Sequence, residues 1–477
     1  MHPRLTARRS PGLAFLGVAA LLAVASVAVA ASNDTVVHSP AADDLEKTAP
    51  TFYADVLPIL QANCHACHRA DSDGEDGGLG SGFHAAELMA PMALETYEQA
   101  RPWAPMIADA VKERRMPPWG AHIQHRGTFR GERYLEVEEI RTLVDWAEAG
   151  APEGDRADAP PPAPRERAST GGWAIGEPDL VVQVPEPYEI GDEVIDLYVN
   201  LHIPLTEEEH PEARWIRGSQ LAPGSHVVHH INSPYLGTVA PGRGPNEWPE
   251  GFGILLPPEE TLVLDMHYHK FATGPGTGVE DQSGGAFLFY EEGEVIDYMI
   301  ETFTSFPGGT DFVIPAGDPN YSHTASRVFE EDTYLLSTAP HMHLRGKASK
   351  LEIEYPDGEM ETLLWIPNYD FAWQHKYDWK EPFFMPAGST LHLTMWWDNS
   401  ADNPHNPDPT RDVPFGLASI DEMMTARIFY AKAEPIGHVV GDPIPEELLP
   451  TGAPWERSPH GNITHLVLDD SADSDSR

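Results

Sequence analysis

Only two cysteines occur in this 477-residue chain, and both stand in one five-residue run, Cys64-His65-Ala66-Cys67-His68. With both thiols in a single short motif, no disulfide can brace the rest of the chain, so its folds must hold by burial of apolar surface. Cys-x-x-Cys-His is the attachment pattern of a c-type haem. The two thiolates add to the haem vinyl groups, and the adjacent His68 binds the iron. A zinc half-site and a redox dithiol share the Cys-x-x-Cys spacing. The first wants two further ligands nearby. The second wants a βαβ setting and no trailing His.

The first thirty residues read as a targeting segment. Arg4, Arg8 and Arg9 precede an apolar run from about Leu13 to Ala30, and Ala28-Val29-Ala30 has the small-x-small form of a cleavage site. The expectation is a signal peptide over 1–30 and an exported protein, periplasmic or extracellular. An uncleaved membrane anchor is the alternative. Formal charge is −44. Such a surface excludes nucleic acid as a partner, because every phosphate would be repelled.

Residues 31–47 are polar and are expected to be disordered. Phe52, Val56, Ile59 and Leu60 recur at helical spacing and lead into the haem motif. A loop rich in Gly and Asp runs from Asp71 to Gly82; it lacks the closing Glu of a calcium loop. A second helix is expected from Glu136 to Ala149, with Val137, Ile140, Leu143, Val144 and Ala147 on one side and Gly150 as its C-cap. These signals define an α-helical cytochrome c-like domain over 48–150, followed by a Pro-rich linker over 151–172. Beyond Trp173 the pattern becomes short β-rich runs, among them Leu180–Val184, Leu262–His267, Ala286–Tyr290, Lys350–Tyr355 and Thr390–Trp396. With 46 Pro and 40 Gly available for turns, two antiparallel β-sandwich domains are expected, over 173–300 and 301–435, with a tail over 436–477.

His68 needs a partner on the opposite face of the haem. Met116, in Arg115-Met116-Pro117-Pro118-Trp119, is the first candidate, because a rigid Pro-Pro loop fixes it and a thioether raises the iron potential. Met89, Met92, Met106, His122 and His125 are the other candidates.

Four further features follow one another along the chain: His229-His230, His267-Tyr268-His269, His341-Met342-His343 and Met423-Met424. Residues two apart in a strand share a face, so each His-x-His pair can bind one ion. Paired imidazoles with a thioether suit an ion cycling between Cu(II) and Cu(I). Taken in order, His229-His230, His267, His341-x-His343 and Asp421-Glu422-Met423 resemble the motifs of the copper type II, ascorbate-dependent monooxygenases, which include peptidylglycine α-hydroxylating and dopamine β-monooxygenases. Val313-Ile314-Pro315-Ala316-Gly317, Leu344-x-Gly346-Lys347 and a Gly388-containing strand before the Met support the match. The resemblance covers about residues 175–433. The segment around the haem motif also resembles small c-type domains fused to other modules.

The resemblance implies two β-sandwiches carrying one copper each. His229, His230 and His267 would hold an electron-supplying copper; His341, His343 and Met423 would hold an oxygen-activating copper, with Met424 the rival thioether. It implies hydroxylation of a C–H bond of a small-molecule substrate by O2. Ascorbate, or a redox protein acting through the haem, would be the electron donor. The competing reading is an exported haem and copper electron carrier without oxygenase activity. Peptide-amidating members place an Arg, which grips the substrate carboxylate, where Ala339 stands here, and a Tyr where Arg427 stands. A peptidylglycine substrate is therefore not expected. Arg427 is either an anion contact or a surface residue, and His226 and His269 have no matched role.

The haem expectation is directly testable. Haem bonded through these thiols stays with the chain on a denaturing gel and gives a c-type pyridine haemochrome spectrum. Replacing both Cys64 and Cys67 by Ser should abolish both signals.

Overall fold

Burial alternates along Ser389–Trp397: Leu391, Leu393, Met395 and Trp397 point inward, while Thr390, His392, Thr394 and Trp396 are only partly covered. This period of two, with apolar residues on one face, makes a strand that must be covered on that face. The computed structural model describes residues 49–65, 67–68, 92–162, 173–239, 244–270, 273–449 and 466–468. The expected signal peptide and the polar segment 31–47 lie outside them. The expected strands are present, as Leu180–Gln183, Thr261–His269, Gly284–Phe289, Gly346–Glu354 and Ser389–Trp397. Among the described residues no helix is long and apolar enough to cross a membrane.

One nine-stranded sheet runs through the β region. Its main path is Leu180–Gln183, Gly284–Phe289, Arg214–Ala222, Phe252–Leu256, Tyr298–Phe303, Thr425–Lys432, Thr333–His341 and Tyr377–Met385. The first part of this sheet faces a five-stranded sheet built on Asp196–Pro204, Thr261–His269 and Val228–Ser233. Leu197, Val199, Leu201, Leu262, Leu264 and Phe287 fill the space between them. The later part faces a four-stranded sheet of Tyr321–Phe329, Ser389–Trp397, Gly346–Glu354 and Met360–Ile366 over a second core containing Leu351, Ile353, Leu393 and Ile428. Two sandwich halves are thus present, but they share a sheet. The seam is Tyr298–Phe303, which pairs in parallel with Phe252–Leu256 and antiparallel with Thr425–Lys432.

Arg427 adds a second tie between the halves. It is 5% exposed, and its guanidinium donates to Thr238 Oγ1 at 2.9 Å and to the Ser233 carbonyl at 3.0 Å. It is therefore buried at the join between the halves and is not a surface residue. The segment expected as a tail is built into the fold: His438–Val439 pairs with Val295–Ile296, and Leu466–Leu468 pairs with Asp196–Pro204.

The α-helical cytochrome c-like domain expected over 48–150 is corrected by the structure. The structure is mostly sheet, with 38% strand and 14% helix, and among the described residues no helical cytochrome-like domain is apparent. The described helices are short: Leu57–Asn63, Tyr97–Ala100, Ala104–Lys112 and Val137–Glu148. Their core of Phe52, Leu60, Val111, Leu143 and Trp146 is small. Residues 119–130 leave it for the second sandwich, whose core includes Ala121 and Phe129. There the His122 N–H donates to the Trp365 carbonyl at 2.8 Å, and the Arg130 N–H to that of Asp378 at 2.8 Å. The start of the expected linker also folds back, with the Phe52 and Tyr53 N–H groups donating to the carbonyls of Pro152 and Glu153. The helices and sandwiches from Ala49 onward fall within one compact unit. Periodicity revealed the helices but not which core their connecting segment would join.

Phe129 is fully buried in the second sandwich. Phe129→Ala should destabilise the sandwich by about 3–5 kcal/mol in denaturant unfolding followed by Trp fluorescence. A segment packed only among the short helices would leave that transition unmoved.

Candidate metal centre

The site forms on the outer face of the five-stranded sheet, where the second half covers it. Along Asp196–Pro204, Leu197 and Val199 enter the core, so Asp196 and Tyr198 face out. Along Thr261–His269, Leu264, Met266 and Tyr268 enter the core, so His267 and His269 face out beside them. The register sets Tyr198 opposite His267 and Asp196 opposite His269.

His229 and His230 are adjacent, and in a regular strand they would point to opposite faces. A register shift between Val228 and His230 removes that conflict. Val228 and Ile231, three apart, both enter the core, and the two residues between them are turned outward. His229 Nδ1 and His230 Nδ1 lie 3.2 Å apart. One ring nitrogen from each of His229, His230 and His267 falls within 4.8 Å of the others.

Protonation and tautomer suit this set to a metal. His267 is 2% exposed; its Nε2–H donates to Asp196 Oδ1 at 2.8 Å, and its Nδ1 is buried without a hydrogen-bond partner. An orphaned buried acceptor of this kind is costly unless something binds it. Burial alone would raise the Asp196 carboxyl, but hydrogen bonds from His267 and from His269 Nδ1, the latter at 3.1 Å, hold it well below the carboxylate range. Burial, then the neighbouring His267 and His269, push His229 down to about 3. It is therefore a neutral imidazole, the form that ligates.

His341 closes the strand Thr333–His341, and His343 lies just beyond its end. Met342 between them is fully buried in the second core, so the alternation holds although the strand has stopped. His341 Nδ1 donates to Gln374 Oε1 at 2.8 Å, and His343 Nδ1 to the Asp421 carbonyl at 3.2 Å. With Nδ1 donating in both bonds, Nε2 of each ring is the nitrogen left to face a ligand. Glu422 fastens the Asp-Glu-Met segment beside them. It accepts from the N–H groups of His343 at 2.8 Å and Arg345 at 2.7 Å and from Trp397 Nε1 at 3.0 Å. Burial pushes its carboxyl up to about 7, against these bonds, which lower it. The two methionines separate: Met424 packs into the second core, whereas Met423 lines a cavity with both histidines.

That cavity also takes His230 and His267 from the first half. Its other lining residues are Tyr198, Phe371, Leu417 and Ser419. Five of the six expected metal residues thus line one cavity, and His229 sits beside them with its ring centroid 4.8 Å from that of His267. Sequence reasoning missed Asp196, Tyr198, Phe371 and Gln374, which carry no local motif and reach the site only through sheet register and a loop. His226 has no resolved part in it, whereas His269 shares Asp196 with His267.

Around the cysteine motif, Cys64 closes Leu57–Asn63, and a turn follows in which the Cys67 and His68 N–H groups donate to the Cys64 carbonyl. Neither thiol is in a disulfide, and burial pushes Cys64 up to about 12, with Cys67 and Glu139 adding to the shift. His68 Nδ1 donates to the Met92 carbonyl at 3.0 Å, leaving Nε2 as its lone-pair nitrogen. Met92 packs against the same apolar cluster as Cys64; Met116 is not among the residues of that cluster.

No family model and no curated protein matches the chain. Among solved structures it is similar to the VP2 subviral particle of infectious bursal disease virus, at 8% identity over 53% of this chain and 71% of that one, with a TM-score of 0.18. It is also similar to the N-terminal CBM22-1-CBM22-2 tandem domain of Paenibacillus barcinonensis Xyn10C, at 10% identity over 54% of this chain and 91% of that one, with a TM-score of 0.14. At such TM-scores neither likeness bears on the site.

Asp196→Asn keeps the shape but loses the charge that fixes the His267 tautomer. It should weaken copper binding at His229, His230 and His267 by about 10–100-fold in a competitive chelator titration, while binding at His341 and His343 stays unchanged.

Proposed function

We propose that the protein is a copper-dependent monooxygenase that hydroxylates a C–H bond of a small substrate with O2. The observation that supports this most is the shared cavity: four chain segments distant in sequence bring His230, His267, His341, His343 and Met423 to line one hollow. Bound copper would supply one-electron cycling and O2 activation. His229, His230 and His267 would hold one ion; His341, His343 and Met423 would hold the other.

The chain's own groups do the rest. Asp196, Gln374 and the Asp421 carbonyl fix the ring tautomers before any ion arrives, so little reorganisation is needed on binding. Tyr198 stacks on His267 at 4.0 Å and reaches Ser419 Oγ at 3.4 Å, closing one wall with a contact between the halves. Phe371 and Leu417 supply apolar lining that limits water. None of the lining residues is Lys, Arg, Asp or Glu. With Ala339 and a buried Arg427 whose guanidinium donates to Ser233 and Thr238 in place of the family's substrate-gripping groups, the cavity favours a small neutral molecule over a carboxylate-bearing peptide.

The haem reading stands beside this one. Cys64 and Cys67 would bond the haem, and His68 would bind its iron. The segment that follows Met116 reaches the copper site: Trp119 packs 5.6 Å from His375, and the adjacent Gln374 holds His341. A covalent haem at Cys64 and Cys67 would be the inner electron source, with ascorbate or a redox protein as the outer donor.

Metal analysis and CO binding test the proposal. The reduced, copper-loaded protein should bind CO at one copper, seen as an infrared C–O stretch, and Met423→Ala should lose or shift that band. It should also lower O2-dependent product formation at least 10-fold. Copper that never binds CO would point instead to an electron carrier.

A further inference from the structure

The loop 367–376 joins the end strands of two different sheets: Met360–Ile366 ends the four-stranded sheet, and Tyr377–Met385 ends the nine-stranded one. Two of its side chains hold the His341–His343 segment. Tyr369 Oη accepts from the Met342 N–H at 3.1 Å and donates to the Met342 carbonyl at 2.9 Å, and Gln374 Oε1 accepts from His341 Nδ1 at 2.8 Å. Phe371 of the same loop lines the cavity. Both feet of this loop are gripped by residues 119–130, which lie outside the stretch 175–433 that resembles the copper monooxygenases. At the first foot the His122 N–H donates to the Trp365 carbonyl at 2.8 Å, and the Trp365 N–H donates to His125 Nε2 at 3.0 Å. At the second the Arg130 N–H donates to the Asp378 carbonyl at 2.8 Å, and the Lys380 N–H to that of Thr128 at 3.0 Å. Trp119 packs 5.0 Å from Tyr377 and 5.6 Å from His375, the neighbour of Gln374. Gly120 sits between the feet, where a Cβ would meet Tyr377 Oη at 2.8 Å and Ile366 Cγ2 at 3.1 Å. A loop fixed at both ends has fewer conformations to lose when its side chains take up one arrangement.

We propose that residues 119–130 act as a positioning strap for the set of His341, His343 and Met423. By clamping both feet of the loop 367–376 they keep Gln374 on His341 and Tyr369 on Met342, so that the rings are aimed before an ion arrives. The inference rests on the copper reading above for the identity of the ion; the clamp itself is a property of the metal-free chain. Trp119 and Gly120 are positioning residues: neither lines the cavity, and Trp119 acts through His375 and Tyr377. The other set takes its fixed tautomer from Asp196, on a strand of the five-stranded sheet, so a loosened strap leaves it in place. The helical segment thereby gains a mechanical hold on one histidine set and not on the other.

Hydrogen exchange of the full, metal-free chain, read by mass spectrometry, tests the clamp without copper. Trp119→Ala and Gly120→Ala should each raise exchange over 367–376 by about 10-fold or more, while Asp196–Pro204 and Thr261–His269 keep the wild-type rate. Trp119→Phe should restore most of the protection. A chelator titration in a background carrying His229→Ala and His267→Ala then reads the second set alone, where Trp119→Ala should weaken copper binding by about 10-fold. Exchange over 367–376 that stays at the wild-type rate, or that rises evenly through the chain, would overturn the strap. Localised loosening with no loss of copper affinity would overturn its role in positioning His341. Localised loosening in a protein whose wild-type form binds no copper at His341 and His343 would overturn the copper reading and leave the clamp standing.

Discussion

The parallel pairing of Phe252–Leu256 with Tyr298–Phe303 is the contact on which the arrangement depends. Without it the chain would hold two sandwiches on a tether, each with an unpaired edge open to other strands. With it, the sheets of both halves become one surface, and the outer face of the five-stranded sheet is held against the second half. Asp196, Tyr198, His267 and His269 are on that face because Leu197, Val199, Leu264, Met266 and Tyr268 must be on the other. The apolar pattern that builds the first core therefore also aims the polar groups at the seam.

Polar groups at this seam are expensive to bury unless paired, and nearly all are paired in ways that prepare a ligand set. Asp196 engages two imidazoles, Gln374 one, and Glu422 three N–H donors around the His343 turn. His267 Nδ1 is buried and without a hydrogen bond, directed where a cation would be held by its neighbours. Neutral imidazoles are themselves a product of burial, which disfavours the charged form, so the same desolvation that costs stability creates metal affinity.

The helical segment shows how far a local pattern reaches. The helix expected over 136–149 forms as Val137–Glu148, with Gly150 in the left-handed region just after it. Yet residues 119–130, read as part of the same domain, belong to the second sandwich. Phe129 and Ala121 look alike to any local criterion whichever core they enter.

Period-two alternation and turn-rich composition were enough to identify sheet as the dominant element and to place several strands within a few residues, because strand burial is a local property of side-chain alternation. The candidate metal residues were legible too: imidazole and thioether are rare enough that their order along the chain stands out. Tertiary structure decided the rest. A one-residue bulge turns His229 and His230 to one side, since alternation would have parted them. Packing into the second core takes Met424 away and leaves Met423 at the cavity. Joining the halves in one sheet brings both sets together, and no local pattern encodes which distant strands will share a ladder.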